Sequence, residues 1–385
     1  MQTFARTSVV LAALLAGSAP AAHAQADSAF AVSRAGTSLL RLNTDGSLVL
    51  RGTHGEGSVP ASGLGVRMMW IPGQYAFRAG RLVSTPQDGD GSSFWESGNV
   101  GDGSAAFGLN TRASGENAFA AGWRSVASGA HSFTFNGTAS AARGVAIGGG
   151  AQATNDDALA LGPASIAGGL ASITIGPSIA NGNYAVAIGL QNSASGQFSV
   201  AIGKNARTAN RQGSVVLGDA CATFSSDSVY PTANNQFVVR GCGGARIFTN
   251  QALTAGVEMA PGGSSWSSVS DRNRKENFLS LDSEDVLARL RRVPVTTWNY
   301  IAQDRTVRHM GPMAQDFHAA FGLGESSLRI NTVDIDGVMM AGVQALDART
   351  DAQGARIRAL ETENAELRAR LERLEALMGA AQPRR

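Results

Sequence analysis

Between Ala105 and Gly218 the chain repeats one alternation of small and apolar positions closed by a turn residue. It reads Ala105-Ala106-Phe107-Gly108, Phe119-Ala120-Ala121-Gly122, Phe133-Thr134-Phe135-Asn136, Val145-Ala146-Ile147-Gly148 and Leu159-Ala160-Leu161-Gly162. It continues as Ile173-Thr174-Ile175-Gly176, Val186-Ala187-Ile188-Gly189, Val200-Ala201-Ile202-Gly203 and Val215-Val216-Leu217-Gly218. Successive turn residues are 14, 14, 12, 14, 14, 13, 14 and 15 positions apart. A near-constant period of this kind marks a stacked repeat. Alternation by two puts large residues on one face of a strand and small ones on the other. The turn residue enters the left-handed region, where glycine costs nothing and the Asn136 substitute is tolerated. Second turns at Ala113-Ser114-Gly115, Ala127-Ser128-Gly129 and Ala194-Ser195-Gly196 divide each repeat into two short strands. The expected rung is one coil of a parallel β-roll, with stacking covering the apolar face that a single rung leaves bare. A hexapeptide solenoid is the rival, and a period of 14 argues against it.

The flanking pattern is less regular. In residues 28–66, Leu39–Leu42 and Ser47–Leu50 alternate around Asn43-Thr44-Asp45-Gly46, a hairpin signal. The aromatic cluster Trp70, Tyr75 and Phe77 is read as a cap closing one end of the stack, since solenoids need covered ends, and a ligand-binding face is the other reading. Residues 85–103, rich in Gly, Asp and Ser, read as a linker. After the repeat, Cys221 and Cys242 flank a polar loop and Phe237–Arg240. They read as a disulfide in an exported chain, with two free buried thiols as the alternative.

At the N-terminus Arg6 precedes the apolar run Val9–Ala16, and Ala22-His23-Ala24 supplies the small residues of a cleavage site. Residues 1–24 therefore read as a secretory signal peptide and the mature chain as secreted or surface-exposed. No later stretch is long and apolar enough for a transmembrane helix, so no integral membrane segment is expected in the mature chain. The 47 glycines among 385 residues carry no Gly-X-Y period, which excludes collagen. A net charge of +2 gives no field for nucleic acid, and two cysteines fit no zinc spacing; neither metal nor cofactor is expected.

The rungs over residues 101–218 resemble the head of trimeric autotransporter adhesins of the YadA type, which carry the same Ala-x-Gly and Ala-Ser-Gly pattern. The resemblance implies a left-handed parallel β-roll with three chains side by side. Those adhesins end in a membrane-embedded barrel, whereas this chain ends in a charged helix.

A second resemblance begins at Ser270-Asp271-Arg272-Asn273-Arg274-Lys275. It matches the Ser-Asp-x-x-x-Lys opening of the endosialidase-type intramolecular chaperones, self-cleaving C-terminal domains (peptidase S74) of phage tail spikes and related trimeric fibres. His309-Met310-Gly311-Pro312-Met313-Ala314-Gln315 resembles that family's His-x-Gly-Pro-x-Ala-Gln segment, and the likeness extends to about residue 347. It implies a cut between Val269 and Ser270, with Ser270 attacking the Val269 carbonyl and Lys275 as base. A serine and lysine can form such a nucleophile–base pair. Lysine is a base only after losing its proton, which desolvation or a neighbouring cation favours; Arg272 and Arg274 are the candidate cations. Spacing of five lies on neither one helix face nor one strand face, so the dyad requires a bend. Asp271 is expected to orient the pair, and His309 matches a family histidine. The alternative is a non-cleaving domain with Lys275 as a solvated charge. Thr296–Tyr300 reads as a strand with buried aromatics.

From Val343 the apolar positions take a heptad: a = Val343, Thr350, Ile357, Asn364, Leu371, Met378 and d = Leu346, Gln353, Leu360, Leu367, Leu374. The flanking pairs Arg356–Glu361, Glu363–Arg368 and Arg370–Glu375 are opposite in sign when parallel helices lie in register. Asn364 at a fixes register and by itself leans toward a dimer; both resembled families are trimers.

The expected architecture is mainly β: signal peptide 1–24, β cap and linker 25–100, head repeats 101–218, connector 219–262, chaperone domain 263–345 and coiled coil 346–385. The expected function is a homotrimeric, adhesin-like fibre whose chaperone domain assembles it and then cleaves itself off, with a surface glycan or protein as possible head ligand. A non-cleaving fibre and a tail-spike-like polysaccharide hydrolase are the alternatives. Glycosidases need paired carboxylates, and Asp156-Asp157 is the only adjacent pair in the repeats.

Overall fold

The repeat region forms a parallel β-solenoid, described here from a computed structural model covering residues 28–221 and 223–380. The expected signal peptide lies outside the described residues. The chain divides after Gly244 into two compact units.

In the first unit, each long strand pairs in parallel with its counterpart one rung away. Phe119–Trp123 pairs residue for residue with Ala105–Leu109, and Val200–Lys204 with Val186–Leu190. The short second strands stack likewise, Val126-Ala127 on Arg112-Ala113. The buried face is the small one, and this corrects the expectation that stacking would cover the large apolar side chains. Ala106, Ala120, Ala146, Ala160, Ala187 and Ala201 are all fully buried in the long strands, as are Ala113, Ala127, Ala153, Ala167, Ala180 and Ala194 in the short ones. The inward positions of the rungs hold alanine, with Thr134, Thr174 and Val216 as the larger occupants. The large residues therefore point outward. Phe77, Phe107, Phe119 and Phe133 form a surface column with ring centroids 5.5, 5.6 and 5.1 Å apart. Stacking orders this face into columns that are half-buried and still open to solvent.

The turns explain the glycines. Gly108 has φ +116°, and a Cβ there would lie 2.1 Å from the Gly122 carbonyl of the next rung. Asn136, at the equivalent place, has φ 56°. The second turn carries a left-handed residue that the pattern did not announce, such as Asn117 at φ 53° or Phe198 at φ 56°. Gly115 is needed for closeness alone, since its Cβ would sit 2.0 Å from the Gly129 carbonyl. Gly115→Ala must push a rung aside, and we expect it to cost about 1–3 kcal/mol, read as a lowered midpoint in denaturant unfolding of the assembled protein.

The leading end closes the stack. Gly65–Ile71 and Ala76–Leu82 form an antiparallel hairpin, and the second strand continues the parallel ladder onto Ala105–Leu109. Arg78 stands where later rungs carry alanine. It is fully buried and donates to the Ser104 hydroxyl and the Ala113 carbonyl, both at 2.8 Å. Residues 85–103 are not a bare linker. Trp95 is fully buried, its Nε1 donating to the Thr111 carbonyl at 2.8 Å. Glycine and serine there serve tight turns that seat one large anchor. Ahead of this cap, Thr37–Asn43 and Leu48–Leu50 form the predicted hairpin, joined by Ser28–Arg34 as a third strand. At the far end Phe237–Arg240 adds the last parallel strand.

The second unit opens with the antiparallel strands Ala245–Phe248, Gly256–Met259 and Ser267–Ser268. Three helices follow: α1 (Ser283–Leu290), α2 (Ala314–Phe321) and α3 (Thr332–Ala380). Asp282 caps α1, accepting from the Glu284 and Asp285 amides at 2.9 and 3.3 Å. Val286, Phe317, Val338 and Ala341 form the shared core. The helix α3 runs 49 residues without a break at the expected boundary near Leu346. Arg349 clamps α1 to α3, its Nε donating to both Glu284 oxygens at 2.9 and 2.8 Å. That bond, with the Arg349 charge, holds Glu284 below its ordinary value of 4.5. The clamp is therefore complete above that value and lost as pH falls through the lowered one. We expect the protection factors of the α1 amides to fall below about pH 4.5, and Arg349→Met to remove that acid dependence.

Candidate functional site

The short strand Ser267–Ser268 delivers the chain to the site. It pairs with Gly256–Met259, and the Val269 amide extends the pairing by donating to the Gly256 carbonyl at 3.2 Å. The bend that a spacing of five requires follows at once, as a single 3-10 turn over Arg272–Arg274. Asp271 caps it, its Oδ1 accepting from the Asn273 amide at 2.9 Å and the Asn273 Nδ2 at 3.2 Å. The Lys275 amide closes the turn on the Arg272 carbonyl at 3.2 Å. The two ends of the turn thereby face each other, and Lys275 Nζ donates to Ser270 Oγ at 2.6 Å.

Asp271 thus acts on the backbone between the pair rather than on either member. Asn273, missed in the sequence reading, is its direct partner; the Asp-x-Asn spacing of a short turn was the available signal. The two candidate cations are engaged elsewhere. Arg274 lies 3.7 Å from Asp271, and Arg272 stacks over Phe278 at 6.0 Å. Ser270, Asp271 and Lys275 are all exposed in the single chain.

His309 is not joined to the dyad by any hydrogen bond among the described residues. It lies on the strand His309–Gly311, opposite Trp298 of Thr296–Trp298. Its Nε2 meets Gln303 Oε1 at 2.8 Å, and its ring packs 4.9 Å from Trp298 and 5.5 Å from Tyr300. The aromatics of this hairpin are not all buried as expected, because Tyr300 lies beyond the strand and is exposed.

In the first unit Cys221 and Cys242 are joined as a disulfide, with Cα atoms 6.4 Å apart. Beside it Asp219 accepts from the Cys242 amide at 2.6 Å and from Arg240 Nε at 2.8 Å. These two bonds, the amide first, hold the Asp219 carboxyl below the usual range. The Cys221→Ser/Cys242→Ser double variant is expected to lose about 3 kcal/mol in the chain-entropy account, measured by denaturant unfolding. The adjacent carboxylates Asp156 and Asp157 are both spent on Arg143, whose Nη2 donates to Asp157 Oδ2 at 2.8 Å. That is an ion pair between rungs, not a pair of free acids across a cleft.

The coiled-coil positions Ile357, Leu360, Leu367, Leu371 and Leu374 are exposed along α3, as is Asn364, whose Nδ2 donates to the Leu360 carbonyl of its own helix at 3.0 Å. No described helix is long and apolar enough to cross a membrane.

Comparison with known families agrees with this division of the chain. The family described as chaperone of endosialidase (peptidase S74) matches residues 270–322, beginning at the serine of the dyad. The YadA head domain repeat matches residues 100–125, 113–133, 139–176 and 180–206, all within the solenoid. No curated protein matches the chain.

Proposed function

We propose that this chain is an exported, homotrimeric, adhesin-like surface fibre. Its C-terminal chaperone domain brings three copies together and then severs itself between Val269 and Ser270. The observation that carries the cleavage reading is the 2.6 Å contact between Lys275 Nζ and Ser270 Oγ, set up by the capped turn between them.

The step balances within one chain. Neutral Lys275 takes the Ser270 hydroxyl proton, Oγ bonds to the Val269 carbonyl carbon, and an oxyanion forms. Its collapse breaks the Val269–Ser270 C–N bond, and Lys275 returns the proton to the leaving Ser270 amine. Water then hydrolyses the ester between Val269 and Ser270 Oγ. In the single chain this dyad is open to water. Burial by neighbouring copies would favour the neutral amine, so assembly would license the cut. His309 in this scheme steadies the aromatic hairpin.

Trimerisation is supported by two apolar faces that the single chain leaves bare, the outward Phe and Ile columns of the head and the heptad seam of α3. Slow-folding β structure with non-local contacts gains from early assembly by a tail. Removing the tail afterwards leaves the fibre held kinetically. Residues 1–24 are proposed as the export signal, and a surface glycan or protein as the head ligand.

The test is intact mass of protein produced without residues 1–24, beside its mass in native light scattering. We expect pieces ending at Val269 and beginning at Ser270, and a head of three copies. A monomer mass for the uncut chain would overturn the fibre reading.

A further inference from the structure

The sheet that presents the scissile bond also places a donor opposite its carbonyl. We infer that the backbone N–H of Gly256 stabilises the negative charge that develops on the Val269 oxygen during cleavage, an inference that rests on the self-cleavage proposed above.

The argument is one of strand alternation. In an antiparallel ladder, residues whose N–H and C=O both face one neighbour alternate with residues that face the other. Thr249 donates to the Ala255 carbonyl at 3.0 Å, so Ala255 faces Ala245–Phe248, and so, two residues on, does Val257, which pairs with Ile247. Gly256 falls between them and turns both of its polar groups to the other edge. Its carbonyl proves the direction by accepting from the Val269 amide at 3.2 Å. The register agrees, since Val257 pairs with Ser268 and Glu258 with Ser267, which sets Gly256 opposite Val269.

In a closed pair the Gly256 N–H would return a bond to the Val269 carbonyl. That bond is not formed among the described residues, and alternation turns the N–H away from Ala245–Phe248, so the donor stands free for the Val269 oxygen. A donor placed where charge will appear, rather than on the resting carbonyl, lowers the barrier without stabilising the ground state. The place also demands glycine. A Cβ on residue 256 would lie 2.1 Å from the Ile247 carbonyl, so the donor strand can approach only without a side chain. The chain leading to the cut is thus held as an added edge strand, and the strand that holds it supplies the oxyanion donor.

The test replaces one amide by an ester. The full chain is made by cell-free translation with glycolic acid at position 256, which deletes the N–H and adds no side chain. A matched chain carries the hydroxy analogue of isoleucine at position 247, deleting an N–H that faces Val257 instead and leaving the Gly256 carbonyl an amide. The fragment beginning at Ser270 is followed by mass, and assembly by native-gel mobility. The expected result is a 10²–10³-fold slower cut for the ester at 256 and a rate close to the unmodified one for the ester at 247, with both chains assembled. An unchanged rate at 256, or equal slowing by both esters, overturns the assignment of Gly256 while leaving self-cleavage standing. If the unmodified chain is never cut at Val269–Ser270, the self-cleavage reading falls and the assignment falls with it.

Discussion

Replacing Ser270 by alanine is expected to leave the assembled chain whole, where the wild type is expected to yield a C-terminal piece of residues 270–385. The alanine variant removes the proposed nucleophile and touches nothing in the core, since Ser270 is exposed and its described side-chain partner is Lys275. Two companion variants separate chemistry from structure. Lys275→Arg keeps a cation in reach of Ser270 but cannot give up a proton in a protein. It should therefore cut about 10²–10⁴-fold more slowly, the range expected for losing a general base. Ser270→Cys keeps a nucleophile and should pass through a thioester that hydroxylamine intercepts, releasing a hydroxamate at Val269. Intact-mass spectrometry reads all three. A wild-type chain that stays whole once assembled would make the domain a retained trimeriser. A Lys275→Arg chain cut at the wild-type rate would remove lysine from the mechanism.

The capped turn shows why this dyad was legible as a pair and not as a shape. Spacing of five established only that a bend was needed. The bend itself depends on Asp271 choosing the Asn273 amide over solvent, a local contest that the bare residue types leave open. The two arginines illustrate the converse. Charge and proximity in sequence suggested that they tune Lys275, yet Arg272 lies on Phe278 and Arg274 on Asp271. Sequence distance carries no direction, and side-chain direction decides which cation meets which group.

In the head, the period announced the rungs because turn residues recur wherever the backbone must cross into the left-handed region, as at Gly108 and Asn136. Which face turns inward was not announced. Habit assigns valine, isoleucine and phenylalanine to the interior, but alternation alone is symmetric between the faces. The outcome depends on how near the two strands of a rung approach. Fully buried Ala106 beside outward Phe107 settles it, and Arg78 in an alanine position shows that the end of the stack obeys different rules from its middle. Trp95 was hidden for another reason. One large residue among glycines and serines leaves no periodic trace, although it is fully buried and bonded to the Thr111 carbonyl.

The largest structural effect is expected from the tail. Changing Leu360, Leu367 and Leu374 to serine should convert the assembled protein to monomers and strip the head of its soluble fold. In the single chain these side chains are 39%, 54% and 57% exposed, so nothing within one copy depends on them. The helix should keep its local structure and the chaperone core of Val286, Phe317 and Val338 should stay packed. In a three-stranded seam each leucine buried is worth about 1.5–3 kcal/mol, and three substitutions in three chains remove nine of them. That loss is comparable with the total stability of an ordinary domain, about 5–15 kcal/mol. The outward apolar columns of the head would then meet in solution without a register, and aggregation is the expected fate of unpaired material. Light scattering on the soluble fraction reads the first consequence and recovery of soluble head the second. Asn364→Ile supplies the opposite control: it should raise the melting temperature of the tail while admitting more than one oligomeric state, because the buried polar residue trades stability for register. A triple variant that still assembles would place the assembling force in the head columns. Timing then separates the two roles. If the tail only starts assembly, wild-type heads already cut at Val269 should hold together without it, whereas chains that never had a working seam should not reach that state.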